Sequence, residues 1–151
     1  MTSKASVEAF VRGKTFALVG ASASGKRFGC MAIEELRKRG YRVLAVHPRA
    51  ETIQGEPAFR SLADLPEKVD GVIVVVPPAE SEKVVREARD AGIGRAWLQQ
   101  GAESQAAIEI CEKGGMDVVH GECILMFARP VGFLHGMHRW IWGLLGKLPR
   151  D

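Results

Sequence analysis

Directly after an apolar run at 15–19 the chain reads Gly20-Ala21-Ser22-Ala23-Ser24-Gly25-Lys26, a stretch of little bulk with two hydroxyls and one cation. Residues this small let a backbone approach an anion closely, and Ser22, Ser24 and Lys26 can add donors of their own. The chemistry to expect is the cradling of a phosphate. The pattern is neither a full GxGxxG nor a Walker A motif. Ser22 stands where the second glycine would be, and Arg27 stands where a P-loop needs a magnesium-binding Ser or Thr, which argues against ATPase or GTPase chemistry. The plainer alternative is that any parallel α/β domain needs a small-residue turn after its first strand.

Three further segments carry candidate contacts. An NAD site places a carboxylate near the end of the second strand to accept the ribose hydroxyls, whereas this chain has His47-Pro48-Arg49 after its second apolar run. Arg49, with His47, favours a phosphorylated ribose such as that of NADP or coenzyme A, because a guanidinium fork matches phosphate oxygens; a solvated arginine is the competing reading. Val76-Pro77-Pro78 offers a rigid, donor-poor wall suited to an adenine or a pantetheine arm. Gln99-Gln100-Gly101 supplies amides and a glycine ahead of a helix, while Trp97 reads as core.

Covalent and metal chemistry find little support. His120 and Cys123 lie close in sequence, but a cysteine beside Ile124-Leu125-Met126-Phe127 reads as a small buried hydrophobe, so no catalytic residue is assigned. His135 and His138 form an HxxH pair without a third ligand of clear role, and no metal site is expected.

Strands alternating with helices must position these loops. Apolar, β-branched runs at 15–19, 41–46, 71–76, 95–98 and 117–120 read as strands, and helical patterns at 31–39, 81–91 and 104–113 lie between them, the second capped by Ser81. This rhythm predicts an α/β, Rossmann-like, doubly wound and mainly parallel five-stranded sheet with helices on both faces. Ligands then bind beyond the carboxyl ends of the strands, where the four loops converge.

With 151 residues, 46% of them hydrophobic and 26% charged, the chain suits one soluble globular domain. Its net charge of +3 resides wholly in the last 28 residues, where Arg129, Arg139, Lys147 and Arg150 face only Asp151. The balanced remainder shows no basic nucleic-acid face. Cys30, Cys111 and Cys123 are odd in number and widely spaced, which fits free thiols in a reducing cytoplasm. The start of the chain lacks the apolar core of a secretory signal, so no export is expected. The hydrophobic stretch 124–148 is interrupted by Arg129, Pro130, His135, His138 and Arg139 and does not read as a membrane span.

Two regions are expected: a nucleotide-binding body at 1–128 and an apolar, helical tail at 129–151. The tail's Phe133, Met137, Trp140, Leu144 and Leu148 form one stripe. Packing on the body or across a homodimer is the favoured role, ahead of contact with an anionic membrane surface.

Val-Gly-Ala-Ser after the first strand, Lys26 shortly beyond it, Pro48 after the second, Val-Pro-Pro after the third and Trp-Leu-Gln-x-Gly after the fourth occur in this order. Together they resemble the stand-alone CoA-binding domain proteins of bacteria and archaea, a family similar to the amino-terminal domain of the succinyl-CoA synthetase α-subunit. The resemblance covers about residues 6–127. It implies that Gly20, Ala21, Ser22 and Lys26 contact the diphosphate of CoA, that Pro48 and its neighbours flank the adenosine, and that Val76, Pro77 and Pro78 line the same cleft. The chain departs from the family pattern in having His47 before Pro48 rather than asparagine. The phosphohistidine domain of the synthetase has no counterpart in this sequence, so binding of CoA or an acyl-CoA transfers and ligase chemistry does not. A small NADP-dependent oxidoreductase, or an interaction module with a vestigial cleft, are the alternatives.

Overall fold

Runs of apolar residues with no polar face become strands covered on both sides. β1 (Thr15–Val19), β5 (Gly71–Val74) and β6 (Arg95–Gln99) occupy the middle of the sheet, and Phe16, Ala17, Leu18, Ile73, Trp97 and Leu98 are wholly buried. The computed structural model describes residues 2–25 and 27–128. The other elements are α1 (Lys4–Val11), α2 (Phe28–Lys38), β2 (Arg42–Val46), β3 (Thr52–Ile53), β4 (Glu56–Phe59), α3 (Pro78–Asp90), α4 (Gln105–Lys113) and β7 (Asp117–Glu122), with 3-10 turns at Leu62–Asp64 and Ile124–Met126.

The sheet order is β3-β4-β2-β1-β5-β6-β7, parallel throughout except for the β3–β4 pair. Alternation along β1 feeds two cores. Phe16 and Leu18 join α1, α2 and the last 3-10 turn on one face, and Ala17 joins α3 and α4 on the other. The doubly wound α/β architecture expected from the sequence is therefore present, but with seven strands rather than five. The two additional strands form a short hairpin between β2 and β5. Its turn, Gln54-Gly55, has positive φ at both residues (53° and 78°), the geometry whose twist matches that of flanking antiparallel strands.

Two other differences concern helices. The helix after the third expected strand starts at Pro78 and not at Ser81. Pro77 occupies the cap position, and Ser81 is buried within the first turns, where its hydroxyl donates to the Ala102 carbonyl at 2.5 Å. Helix α1 is absent from the sequence expectation. Eight residues make a marginal helix alone, and this one is held by Ser3, whose side chain accepts from the Ser6 amide, and by Phe10. The Phe10 ring stacks on Phe16 at 4.8 Å and meets Trp97 edge-on at 5.3 Å. Among the described residues no helix is long and apolar enough to cross a membrane. The tail expected at 129–151, with its homodimer and membrane alternatives, lies outside the described residues.

Candidate functional site

The chain leaves β1 for one half of the sheet and returns through β5 to the other, so the β1 and β5 exits diverge and leave a crevice at the carboxyl edge. Gly20 makes this crevice possible. It has a φ of 119°, and a Cβ there would lie 1.9 Å from the Val75 carbonyl oxygen, so only glycine lets the two exits touch. Gly29 serves the next contact: a Cβ on it would come within 2.8 Å of the Ala21 Cα, and its absence seats α2 directly on the turn.

Between these glycines the turn is closed by its own groups. The Ser24 amide donates to the Ser22 hydroxyl at 3.2 Å, the two hydroxyls lie 2.7 Å apart, and the Gly25 amide donates to the Ser22 carbonyl. The Cys30 thiol donates to that same carbonyl at 3.0 Å. Helix α2 then begins with no side-chain cap and no acid in its first turn, which leaves its positive end open to an anion. Lys26 lies outside the described residues.

The crevice opens into a cleft of about 750 Å³ that gathers Gly20, Ala21, Ser22, Ser24, His47, Pro48, Val76 and Pro77 from the sequence-derived candidates. Arg49 and Pro78 are exposed and not on its wall. Gly101 lines a second cavity of about 430 Å³ farther along the same edge, bounded by Phe28, Gln99, Ala102 and Cys123. Val75, Val76 and Pro77 line both, so the two hollows share a wall.

His47 has a definite local task. Its Nδ1 accepts from the amides of Arg49 and Ala50 at 3.0 and 2.9 Å. A turn-opening asparagine uses its side-chain oxygen in the same way, so histidine before Pro48 preserves the bend. With Nδ1 accepting, the ring proton of the neutral form sits on Nε2.

Sequence reasoning missed the cleft's other cations. Arg27 and Arg60 line it, and neither carries an ion pair among the described residues; Lys83, also on the wall, pairs with Glu87 at 4.0 Å. Arg60 arrives on the exit of β4. The signal that could have found it is Gln54-Gly55, a hairpin turn flanked by two short strand-like runs. A different hollow of about 450 Å³, at the opposite edge around Tyr41 and Glu56, offers no free cation of this kind. Its arginines are engaged, Arg37 with the Val43 carbonyl and Arg42 with Glu67.

Around the second cavity the edge is fixed by side chains of β6. Trp97 Nε1 donates to the Glu122 carbonyl at 3.1 Å, and Gln99 Oε1 accepts from the Ile124 amide at 3.0 Å. Gly121, with a φ of 75°, lies at the register shift between β6 and β7. Burial pushes the Glu122 carboxyl up to about 7 and lowers the His120 imidazole from its ordinary value. Glu122 Oε2 and His120 Nε2 are buried without a hydrogen-bond partner among the described residues. No group of three metal-ligating side chains occurs among the described residues.

Fold and cleft together define a doubly wound α/β domain with an open crevice at its switch point. Residues 14–129 match the model of a family described as CoA binding domain, and the chain belongs to that family. It is 28% identical over 126 residues to the ADP-forming acetate–CoA ligase II α-subunit of Pyrococcus furiosus, covering 76% of this chain and 28% of that one. The chain thus spans under a third of the length of this curated relative. Among solved structures it resembles a conserved hypothetical protein of the same organism at 38% identity and a TM-score of 0.70, covering 74% of this chain and 96% of the other. A Thermus thermophilus protein is similar at 32% identity and a TM-score of 0.72, covering 82% and 93%.

Proposed function

We propose that this chain binds coenzyme A or an acyl-CoA along the carboxyl edge of its sheet, as a binding module and not as a catalyst in its own right. The observation that carries the reading is the first cleft. Its Gly20 turn presses against Val75, α2 points an uncapped end at it, and Arg27 and Arg60, without an ion pair among the described residues, stand on its wall. Membership in the CoA binding family supports the same ligand. The diphosphate lies at Gly20–Ser24 with Lys26 as a further cation, the adenosine packs near His47 and Pro48, and Arg60 takes the place first considered for Arg49 in meeting the ribose phosphate. In a larger assembly resembling the Pyrococcus ligase, such a chain would supply the CoA-holding part of the chemistry.

Calorimetric titration with CoA, acetyl-CoA, NADP and NAD tests this. The expected result is CoA binding that Lys26→Ala and Arg60→Ala each weaken about tenfold, the order of one charge-assisted contact, with no heat from either dinucleotide. Preferential binding of NADP would replace the proposal with the reductase reading.

Free thiols at all three cysteines support a reducing compartment such as the cytoplasm. Self-association belongs to the same proposal and is assigned to 129–151. Truncation after Ala128 is expected to convert an oligomer to a monomer in sedimentation while CoA affinity stays within about twofold, as separable binding and assembly regions require. A full-length chain that sediments as a monomer would remove the assembly role.

A further inference from the structure

We propose that the second cavity receives the sulfur end of coenzyme A and that Cys123 exchanges with this sulfur when it arrives as a disulfide. The proposal rests on the CoA reading above and adds to it the fate of the arm and a reaction.

The topology sets the reach. Strand exits along the carboxyl edge follow the order β2, β1, β5, β6, β7. A diphosphate held at the turn after β1 is therefore three strand spacings, roughly 14 Å, from the end of β7. Such a span suits an extended pantetheine arm. The two hollows adjoin, because Val75, Val76 and Pro77 bound both.

The second cavity is furnished for that arm. Phe28, Val76, Pro77 and Ala102 give apolar walls. Gln99, only 5% exposed, lies on the same wall; its Oε1 is taken by the Ile124 amide, and its carboxamide nitrogen has no partner among the described residues. An amide donor left open on a cavity wall can meet a ligand carbonyl, and the pantetheine arm carries two amides. The loop bearing these groups is held still. Ser81 binds the Ala102 carbonyl, and the Ala102 amide donates to the Gln99 carbonyl at 2.7 Å.

Cys123 is the cysteine that this cavity selects. Cys30 and Cys111 are buried, the first bonded to Ser22 and the second with its thiol pushed up to about 11 by burial. Cys123 is partly exposed and stands on the cavity wall.

In the exchange, the Cys123 thiolate attacks one sulfur of CoA disulfide. A bond forms between Sγ and that sulfur, the original sulfur–sulfur bond breaks, and the second CoA departs as its thiolate and takes a proton from solvent, which had received the Cys123 proton. Cys123 is oxidised to a mixed disulfide, and the departing CoA is the reduced product. CoA disulfide is the oxidant, and no other is needed.

The reduced full-length protein is mixed with CoA disulfide or, separately, with an equal concentration of cystamine, a disulfide without a nucleotide. Intact mass and peptide mapping follow the products, and calorimetry of reversible CoA binding is run alongside. The expected result is a single CoA adduct on Cys123, formed about tenfold or more faster than the cystamine adduct, since holding the disulfide beside the thiol raises its effective concentration. Adenosine 3′,5′-bisphosphate, which lacks the arm, should slow the CoA reaction by competing for the first cleft. Equal rates for the two disulfides, an adduct on Cys30 or Cys111 instead, or no adduct in a protein that binds CoA reversibly would each overturn the exchange while leaving CoA binding intact. Failure to bind CoA at all would overturn both readings.

Discussion

Gly20→Ala is expected to cost about 3 kcal/mol or more of folding stability, combining a strained backbone with an overpacked contact, and to abolish measurable CoA binding. The φ of 119° at this position is one that side chains rarely adopt, and the added methyl would lie 1.9 Å from the Val75 carbonyl oxygen. Neither partner can give way cheaply, because both are backbone at the exits of central strands. Relief would require the turn after β1 to move away from β5, which opens the crevice where the diphosphate is proposed to lie. Gly25→Ala is the matching control. Its φ of 74° is also left-handed, but a Cβ there meets nothing within 4 Å, so about 1 kcal/mol is expected from backbone conformation alone. Urea denaturation and CoA titration of both variants check the pair. Equal losses for the two would show that the contact with Val75 carries no special weight.

That contrast also marks what a sequence can reveal. Gly20 is legible as a turn residue because an apolar run stops there and small residues follow, but its reason, the Val75 carbonyl just past a strand more than fifty residues away, exists only after folding. The central strands were readable because both faces are buried and the runs are unbroken. The hairpin β3–β4 was not, since Thr52-Ile53 and Glu56–Phe59 are short, partly exposed and contain Pro57, all of which weaken a strand pattern. Losing the hairpin meant losing Arg60. Helix α1 escaped notice for a related reason: its stability comes from Phe10 against Phe16 and Trp97, a tertiary contact that no local propensity encodes. Arg49 shows the reverse failure. Its position after β2 matched the motif, but the bend fixed by His47 Nδ1 leaves it exposed and off the cleft wall.

Glu122→Gln should raise stability by under about 1 kcal/mol at pH 5 and by up to about 3 kcal/mol at pH 8. Glu122 is 7% exposed, its Oε2 has no partner among the described residues, and burial raises the carboxyl from the ordinary 4.5 to about 7. Between those values the folded state holds a proton that the unfolded chain has released, so wild-type stability falls as pH rises through this window and stays reduced above it. Glutamine is neutral throughout and similar in shape, so it resembles the protonated acid at pH 5 and avoids the buried charge at pH 8. His120, whose lowered value favours the neutral ring in the folded state, acts in the opposite direction below its ordinary 6.5. It is present in both proteins, and the difference between them isolates Glu122. Asp70 titrates lower still, because the amides of Lys14 and Thr15 donate to its carboxylate at 2.7 and 3.0 Å; its stabilisation is lost only as pH falls below the ordinary carboxylate range. Urea midpoints of wild type and variant at pH 5 and pH 8 decide the matter, and an equal gap at both would mean that Glu122 is ionised in the fold at either pH. A buried, ionisable group without a partner among the described residues, at the end of β7, lowers stability at neutral pH beside the cavity that Cys123 lines. The Glu122→Gln protein therefore also shows whether that strain is needed for CoA to enter: unchanged affinity at pH 8 would make the carboxyl a burden on the fold alone.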